Sequence, residues 1–169
     1  MQKRWVQFTW NLEKLPATAP GLDSRYEDGV ATPADRELLD AAFDRSYSME
    51  PAWSTEFKSR LDLVTQIIDE HLESDPARFP VVRHGNRIIA AAVIQENAEN
   101  NSNLPLGICV LNEYRCRGIG TFLLHKCLSL LKEKGLKSAQ VLTLKGVTAE
   151  RYLYPKFDGK RVMMPVEVS

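Results

Sequence analysis

Apolar and polar positions along the chain change spacing several times, and each change marks an element. Residues 4–10 carry Trp5, Phe8 and Trp10 in an alternating stretch that predicts a strand. Residues 11–21, with two prolines and a glycine, predict a loop, and residues 25–31 a second short strand. Thr32-Pro33-Ala34-Asp35 reads as a helix start. Thr32 can cap, Pro33 suits the first helical position, and Asp35 closes a capping-box-like pair. Leu38, Leu39, Ala42 and Phe43 then follow at helical spacing. Pro51 interrupts residues 44–53, and a second helix is expected over 54–73. Its stripe of Phe57, Leu61, Val64, Ile68 and Leu72 reads as core packing.

Residues 79–83 and 87–95 are two apolar runs around Gly85-Asn86, which predicts a hairpin. A polar turn over 97–103 leads to the apolar run 106–111, read as a buried strand. A helix over 121–134 has Leu123, Cys127, Leu130 and Leu131 on one side, with Ile119 at its entry. Thr121, His125, Ser129 and Lys132 fall on its wetter side, and Lys134-Gly135 suits its end. Residues 139–144 form another strand, so a strand–helix–strand crossover predicts a parallel pair. A short helix over 148–154 stops at Pro155, and 161–168 can form a last strand. Antiparallel strands early, a parallel pair late and helices between them predict a mixed α/β (α+β) sheet. Residues 1–169 read as one domain, without internal repeat or linker.

Composition narrows the function classes. A length of 169 residues allows a real core, with roughly 70% of the unfolded surface buried. Lysine plus arginine equals aspartate plus glutamate, 22 of each, which argues against a nucleic-acid footprint. Cys109, Cys116 and Cys127 lack framework spacing, which fits a reducing compartment. The first residues lack an apolar signal core, and no apolar run is long enough to span a bilayer, so a cytoplasmic protein is expected. His71, His84 and His125 have no metal-ligand company, so no metal is expected.

The stretch with chemistry in it is Arg115-Cys116-Arg117-Gly118-Ile119-Gly120-Thr121, between the apolar strand and the helix. The first turn of a helix has N–H groups without intrahelical partners, and the helix dipole adds positive charge there. Such an end favours a phosphate. Gly118 and Gly120 leave room for close approach, and the two arginines add charge and bidentate donors. Cys116 beside them can have raised reactivity or serve packing room. The pattern is neither G-x-G-x-x-G nor a Walker loop.

Arg115-x-x-Gly118-x-Gly120, after an apolar strand and Val110-x-x-Glu113-Tyr114-Arg115, resembles the signature of the GNAT N-acetyltransferase superfamily. The order of elements over 25–157 is similar to the GNAT fold. The resemblance implies a central twisted sheet, and acetyl-CoA as co-substrate with its pyrophosphate on 115–121. It implies pantetheine binding along Ile108, Cys109 and Val110, with a backbone N–H near Val110 polarising the thioester carbonyl. Residues 1–24 look like an added strand and loop. The short tail 159–169 implies a missing strand, replacement by residues 4–10, or donation from a partner chain in a homodimer; replacement or exchange is preferred because an open edge is a liability.

In this family a tyrosine in a Leu-Tyr pair often protonates the leaving thiolate, and Leu153-Tyr154 matches that pair. Val147, Glu150 and Pro155 depart from the rest of the motif, which keeps Tyr152 as a rival. Glu96 is the candidate general base, against a bland reading as a solvated loop carboxylate. Phe43, Tyr47, Met49 and Trp53 are candidates to line the acceptor region, or are core residues. The resemblance implies direct acetyl transfer to the primary amine of a small molecule or peptide. A non-catalytic acyl-CoA-binding protein and acetylation of aminoacyl-tRNA stand as alternatives.

Overall fold

The computed structural model describes residues 4–98 and 102–165. Seven strands and four α-helices occur there: β1 Trp5–Asn11, β2 Glu27–Val30, α1 Arg36–Ser48, α2 Phe57–His71, β3 Pro80–His84, β4 Arg87–Ala91, β5 Cys109–Val110, α3 Ile119–Glu133, β6 Ser138–Leu144, α4 Thr148–Tyr152 and β7 Lys160–Met163. The strands form two sheets, β2-β3-β4-β5 and β6-β1-β7, and every ladder in them is antiparallel.

Adjacent residues of a strand point to opposite faces, and this divides the core in two, with one break where a bulge in the β3–β4 ladder leaves Ile89 on the same side as Ala90. Val82, Ile89 and Ala90 pack with α3 residues Leu124 and Cys127. Val81, Ile88 and Ala91 pack with Leu39 and Phe43 of α1 and Val64 and Ile68 of α2. Helices therefore cover both faces of the four-stranded sheet. The predicted capping box is present, on the 3-10 turn Pro33–Asp35 that leads into α1: the Thr32 N–H donates to the Asp35 carboxylate at 2.8 Å. The same carboxylate holds Arg83 of β3 at 2.6 Å, which ties the helix start to the sheet and keeps the Asp35 carboxyl below its usual range.

The question of the short tail is answered inside the chain. β1 lies between β6 and β7 and pairs with both, from Trp5↔Leu144 to Asn11↔Ser138 on one side and Val6↔Met163 to Thr9↔Lys160 on the other. Its alternation puts Val6, Phe8 and Trp10 into the core at 1% exposure or less. The replacement reading thus describes the fold. The tail expected as a strand over 161–168 is β7, Lys160–Met163; residues 166–169 lie outside the described residues.

Several expectations need correction. Leu38 is 40% exposed, because α1 turns Leu39, Ala42, Phe43 and Tyr47 inward instead. His125 is buried, not wet: its Nε2 pairs with the Pro16 carbonyl at 2.7 Å and its ring meets Phe157. The loop 11–21 folds back over α3 and covers that side of it. The second helix is one turn shorter at its start than expected. The run 106–111 is strand only at Cys109–Val110, since the Gly107 N–H closes a turn onto the Leu104 carbonyl.

The expected parallel pair is not among the ladders of the described residues. A local junction stands in its place. The Asn103 N–H donates to the Gln140 carbonyl at 2.6 Å, and the Gln140 N–H donates to Asn103 Oδ1 at 3.0 Å. Asn103 Nδ2 also donates to the Gln95 carbonyl at 2.9 Å. One buried asparagine from the stretch expected to be a polar turn therefore joins the two sheets. β5 and β6 belong to different sheets beyond it.

β1 should behave as a central strand. Phe8→Ala should lower unfolding free energy by about 3–5 kcal/mol. Val162→Ala, on the exposed face of β7, should stay within about 0.5 kcal/mol. Urea titration of both variants checks this.

Candidate functional site

The gap between the two sheets opens into a cavity of about 470 Å³. One wall runs from Leu106 to Val110, another contains Leu142 and Thr143 of β6, and the start of α3 and residues 147–154 close it. Ladder parity explains why this wall is polar. The Leu111 N–H bonds to the Ile89 carbonyl, and hydrogen-bonded positions alternate along an antiparallel ladder. Val110, opposite Ala90, is therefore a position whose N–H points away from β4. Ile108 has the same parity, and its N–H donates to the Tyr154 hydroxyl at 3.0 Å.

Tyr154 is 2% exposed and packs against Phe8 and Trp10, with ring centroids 5.6 and 6.0 Å away. Burial pushes its hydroxyl pKa well above the ordinary value, against a smaller opposite effect of the Ile108 N–H. A hydroxyl has one proton and two acceptor sites. Accepting from Ile108 leaves that proton for another acceptor. Gly107 stands next to it at φ +71°, and a Cβ there would lie 2.6 Å from the Tyr154 oxygen. The rival Tyr152 is 70% exposed and lies at the cavity rim.

At the other end of the wall, Gly118 begins α3 in the left-handed conformation, φ +79°, and no side chain caps the helix. The first helical bond runs from the Phe122 N–H to the Gly118 carbonyl. The N–H groups of Ile119, Gly120 and Thr121 precede it and have no intrahelical acceptor. Gly118 is thus needed for its φ. Gly120 sits close to Leu153 and Val110: a Cβ there would meet them at 3.4 and 3.5 Å, in ordinary contact. Arg115 lines the cavity beside this end and pairs with Glu50 at 3.1 Å.

The structure brings together most of the residues expected to bind cofactor. Ile108, Cys109, Val110, Arg115, Cys116, Gly118, Gly120 and Thr121 line the cavity. Two are placed otherwise: the Ile119 side chain is core, and Arg117 bonds the Tyr26 hydroxyl at 3.3 Å and lies over the Tyr114 ring. Among the acceptor candidates, Tyr47 and Trp53 line the cavity. Phe43 is fully buried in the core, and Met49 is half exposed outside the cavity. Glu96 is not in this cavity. It pairs with Lys134 at 3.3 Å beside a separate hollow of about 210 Å³. The Asn103 junction turns the chain so that Glu96 faces the end of α3. Cys109 is a neutral wall residue, its thiol pushed up to about 11 by burial.

Sequence reasoning missed Glu50, Arg60, Ser46 and Thr143, all of which line the cavity. Glu50 carries the nearest signal: a carboxylate directly before Pro51, in a stretch passed over as mixed loop. Its side chain is 12% exposed, and its Oε1 accepts the Thr148 N–H at 3.2 Å as well as Arg115. Among the described residues, no cluster of three or more His, Cys, Asp or Glu could hold a metal ion. No helix there is long and apolar enough to cross a membrane.

Two antiparallel sheets packed with helices, with a cavity between them that reaches a bare helix N-terminus and a buried tyrosine, define a mixed α/β protein. Residues 36–158 match the model of the acetyltransferase (GNAT) family, and the chain belongs to that family. Acetyl-CoA-dependent acetyl transfer is the general reaction of the family. Solved structures support the fold. A GCN5-related N-acetyltransferase from Sphaerobacter thermophilus matches with TM-score 0.69 and 20% identity over 96% of this chain and 50% of that one. A Drosophila protein matches with TM-score 0.67 and 13% identity over 96% and 49%. The chain thus spans about half the length of these two. A PaiA N-acetyltransferase from Thermoplasma acidophilum, in complex with coenzyme A, matches with TM-score 0.50 and 18% identity over 65% of this chain and 74% of that one. Among curated proteins none matches significantly.

Gly107→Ala should destabilise the fold by about 1–3 kcal/mol through its positive φ and the clash with Tyr154. In a Tyr154→Phe background the loss should be smaller, because the clashing oxygen is gone. A double-mutant cycle by urea titration measures that coupling.

Proposed function

We propose that the protein is an acetyl-CoA-dependent N-acetyltransferase that moves an acetyl group directly to the primary amine of a small molecule or peptide. The observation that carries this reading is the meeting of two features in one cavity: the uncapped N-terminus of α3 and the buried Tyr154 hydroxyl. The Thermoplasma protein with coenzyme A bound adds support from a related fold.

The residues present fit such a co-substrate. The N–H groups of Ile119, Gly120 and Thr121, with Arg115 beside them, suit a pyrophosphate. Val110 and Ile108 turn backbone polar groups toward the gap where an amide-bearing arm would lie. Acetyl-CoA supplies an activated thioester. The Val110 N–H points into the gap and can donate to a carbonyl oxygen there as negative charge grows on it. Tyr154 gives its proton to the sulfur that leaves, and burial keeps that proton in place until then. Glu50, not Glu96, is the carboxylate inside the cavity, and it takes the proton released by the attacking amine, directly or through one water. Arg115 pairs with Glu50 and so links the phosphate end to the proton acceptor.

Thermal unfolding with and without acetyl-CoA tests the cradle. At a concentration about 100 times Kd the fold should gain roughly 2.7 kcal/mol. Gly120→Glu should abolish that gain while circular dichroism stays native, through charge and contact at the helix start. Tyr154→Phe should lower kcat on the order of 10²-fold with little change in acetyl-CoA affinity. Because the Tyr154 hydroxyl is raised above its ordinary value of 10.0, the rate should show no descending limb from this group below that pH. Unchanged turnover in Tyr154→Phe would remove it from the mechanism. Stabilisation by acetyl-CoA with no thiol release for any amine would leave a binding protein.

A further inference from the structure

Acetyl transfer to an amine uses one cationic group for the donor's phosphates and one proton acceptor. The cavity holds a further cation that this chemistry does not use. Arg60 of α2 lines it. Its guanidinium lies over the Trp53 ring at 4.5 Å and the Trp5 ring at 5.4 Å. One donor, Nη1, goes to the Pro105 carbonyl at 3.1 Å. Among the described residues, no carboxylate lies within ion-pair distance of it. Arg115, the other arginine lining the cavity, already has Glu50.

A guanidinium has five N–H donors in one plane. The Trp53 ring covers one face of the Arg60 guanidinium, and edge donors remain beyond those engaged by the Pro105 carbonyl and the Tyr47 hydroxyl. A free planar edge in a partly dehydrated cavity matches a carboxylate, which it can hold by two parallel bonds. The order of contacts along the wall says which ligand this is for. Arg60 binds at Pro105, Tyr47 at Leu106, Tyr154 at Ile108, and the α3 start packs on Val110. Arg60 is thus on the far side of Tyr154 from the phosphate end, where the acceptor must enter.

Resting on the acetyl-transfer reading, we infer that the acceptor is an amino acid or related amino-carboxylate, with Arg60 holding its carboxylate. Glu50 in the same cavity takes the proton released when the neutral amine of this acceptor attacks. Arg60 is then a specificity-determining residue and makes no bond to the reacting atoms.

The test compares glycine with glycinamide and β-alanine with its amide, in the full-length protein saturated with acetyl-CoA. Thiol release gives kcat and KM. Calorimetry of the same acids with the coenzyme A-loaded protein gives affinity without turnover. The free acids should be preferred over the amides by roughly 10–100-fold in kcat/KM, the range for a hydrogen bond to a charged group. Arg60→Gln should erase that preference by raising KM for the acids, with acetyl-CoA affinity unchanged. Arg60→Lys, which keeps charge on the tryptophans but not the fork, should retain only part of it and controls for folding. Equal use of acids and amides by the unmodified protein overturns the inference, as does an Arg60→Gln variant that weakens both classes alike. Absence of acetyl-CoA stabilisation instead overturns the acetyl-transfer reading itself. That result is separate, because acid binding to Arg60 is still read by calorimetry of the free protein, wild type against Arg60→Gln.

Discussion

The site depends on one strand that has a partner on only one side. β5 pairs with β4, and ladder parity sends the Ile108 and Val110 N–H groups the other way. An unbonded backbone group in a dry core is costly, so something must meet that edge. Asn103 and Gln140 hold the two sheets together at one end of the gap. The Tyr154 hydroxyl takes the Ile108 N–H further along. The remainder opens to a cavity, where a ligand with its own amides and phosphates can complete the bonding.

Tyr154 can do this because of the N-terminal strand. β1 runs between β6 and β7 and brings Phe8 and Trp10 against the tyrosine ring. The Trp10 Nε1 donates to the Lys156 carbonyl at 2.9 Å and fixes the chain just after Pro155. The strand that looked like an addition to the fold is therefore the support of the buried hydroxyl. Its high pKa has the same origin, since the rings that position the hydroxyl also keep water from it.

Charge in the cavity is arranged by distance along the chain as well as by contact. Glu50 follows α1, Arg60 lies in α2, Arg115 precedes α3, and all three reach one space. The Glu50–Arg115 pair is mostly sheltered, and the cost of removing it from water is offset in part by the Thr148 N–H as a further donor. Arg60 takes its support from tryptophan rings in place of an acid. The cavity therefore presents neutral, cationic and paired surfaces in a fixed order.

Sequence alone determined the local elements and the glycine-rich entry to α3. The Thr32–Asp35 cap, the Gly85-Asn86 turn and the strand–glycine–helix segment at 106–121 are short-range features. Their physics is contained within a few residues: capping, left-handed φ and unbonded N–H groups. Tyr154 was also legible from the Leu-Tyr pair that resembles the family's, although α4 ends at Tyr152 and the pair lies just past it. What only the tertiary structure decided was which side chains share a cavity. Glu96 lies eight residues before Leu104 in the chain, yet the Asn103 junction turns it toward α3. Glu50 stood in an unpatterned loop, and His125 on a helix face predicted to be wet. No periodicity encodes those outcomes, because each was set by a loop or strand arriving from far away. β1 between β6 and β7 is the same case: alternation predicts a strand, but only packing chooses its neighbours.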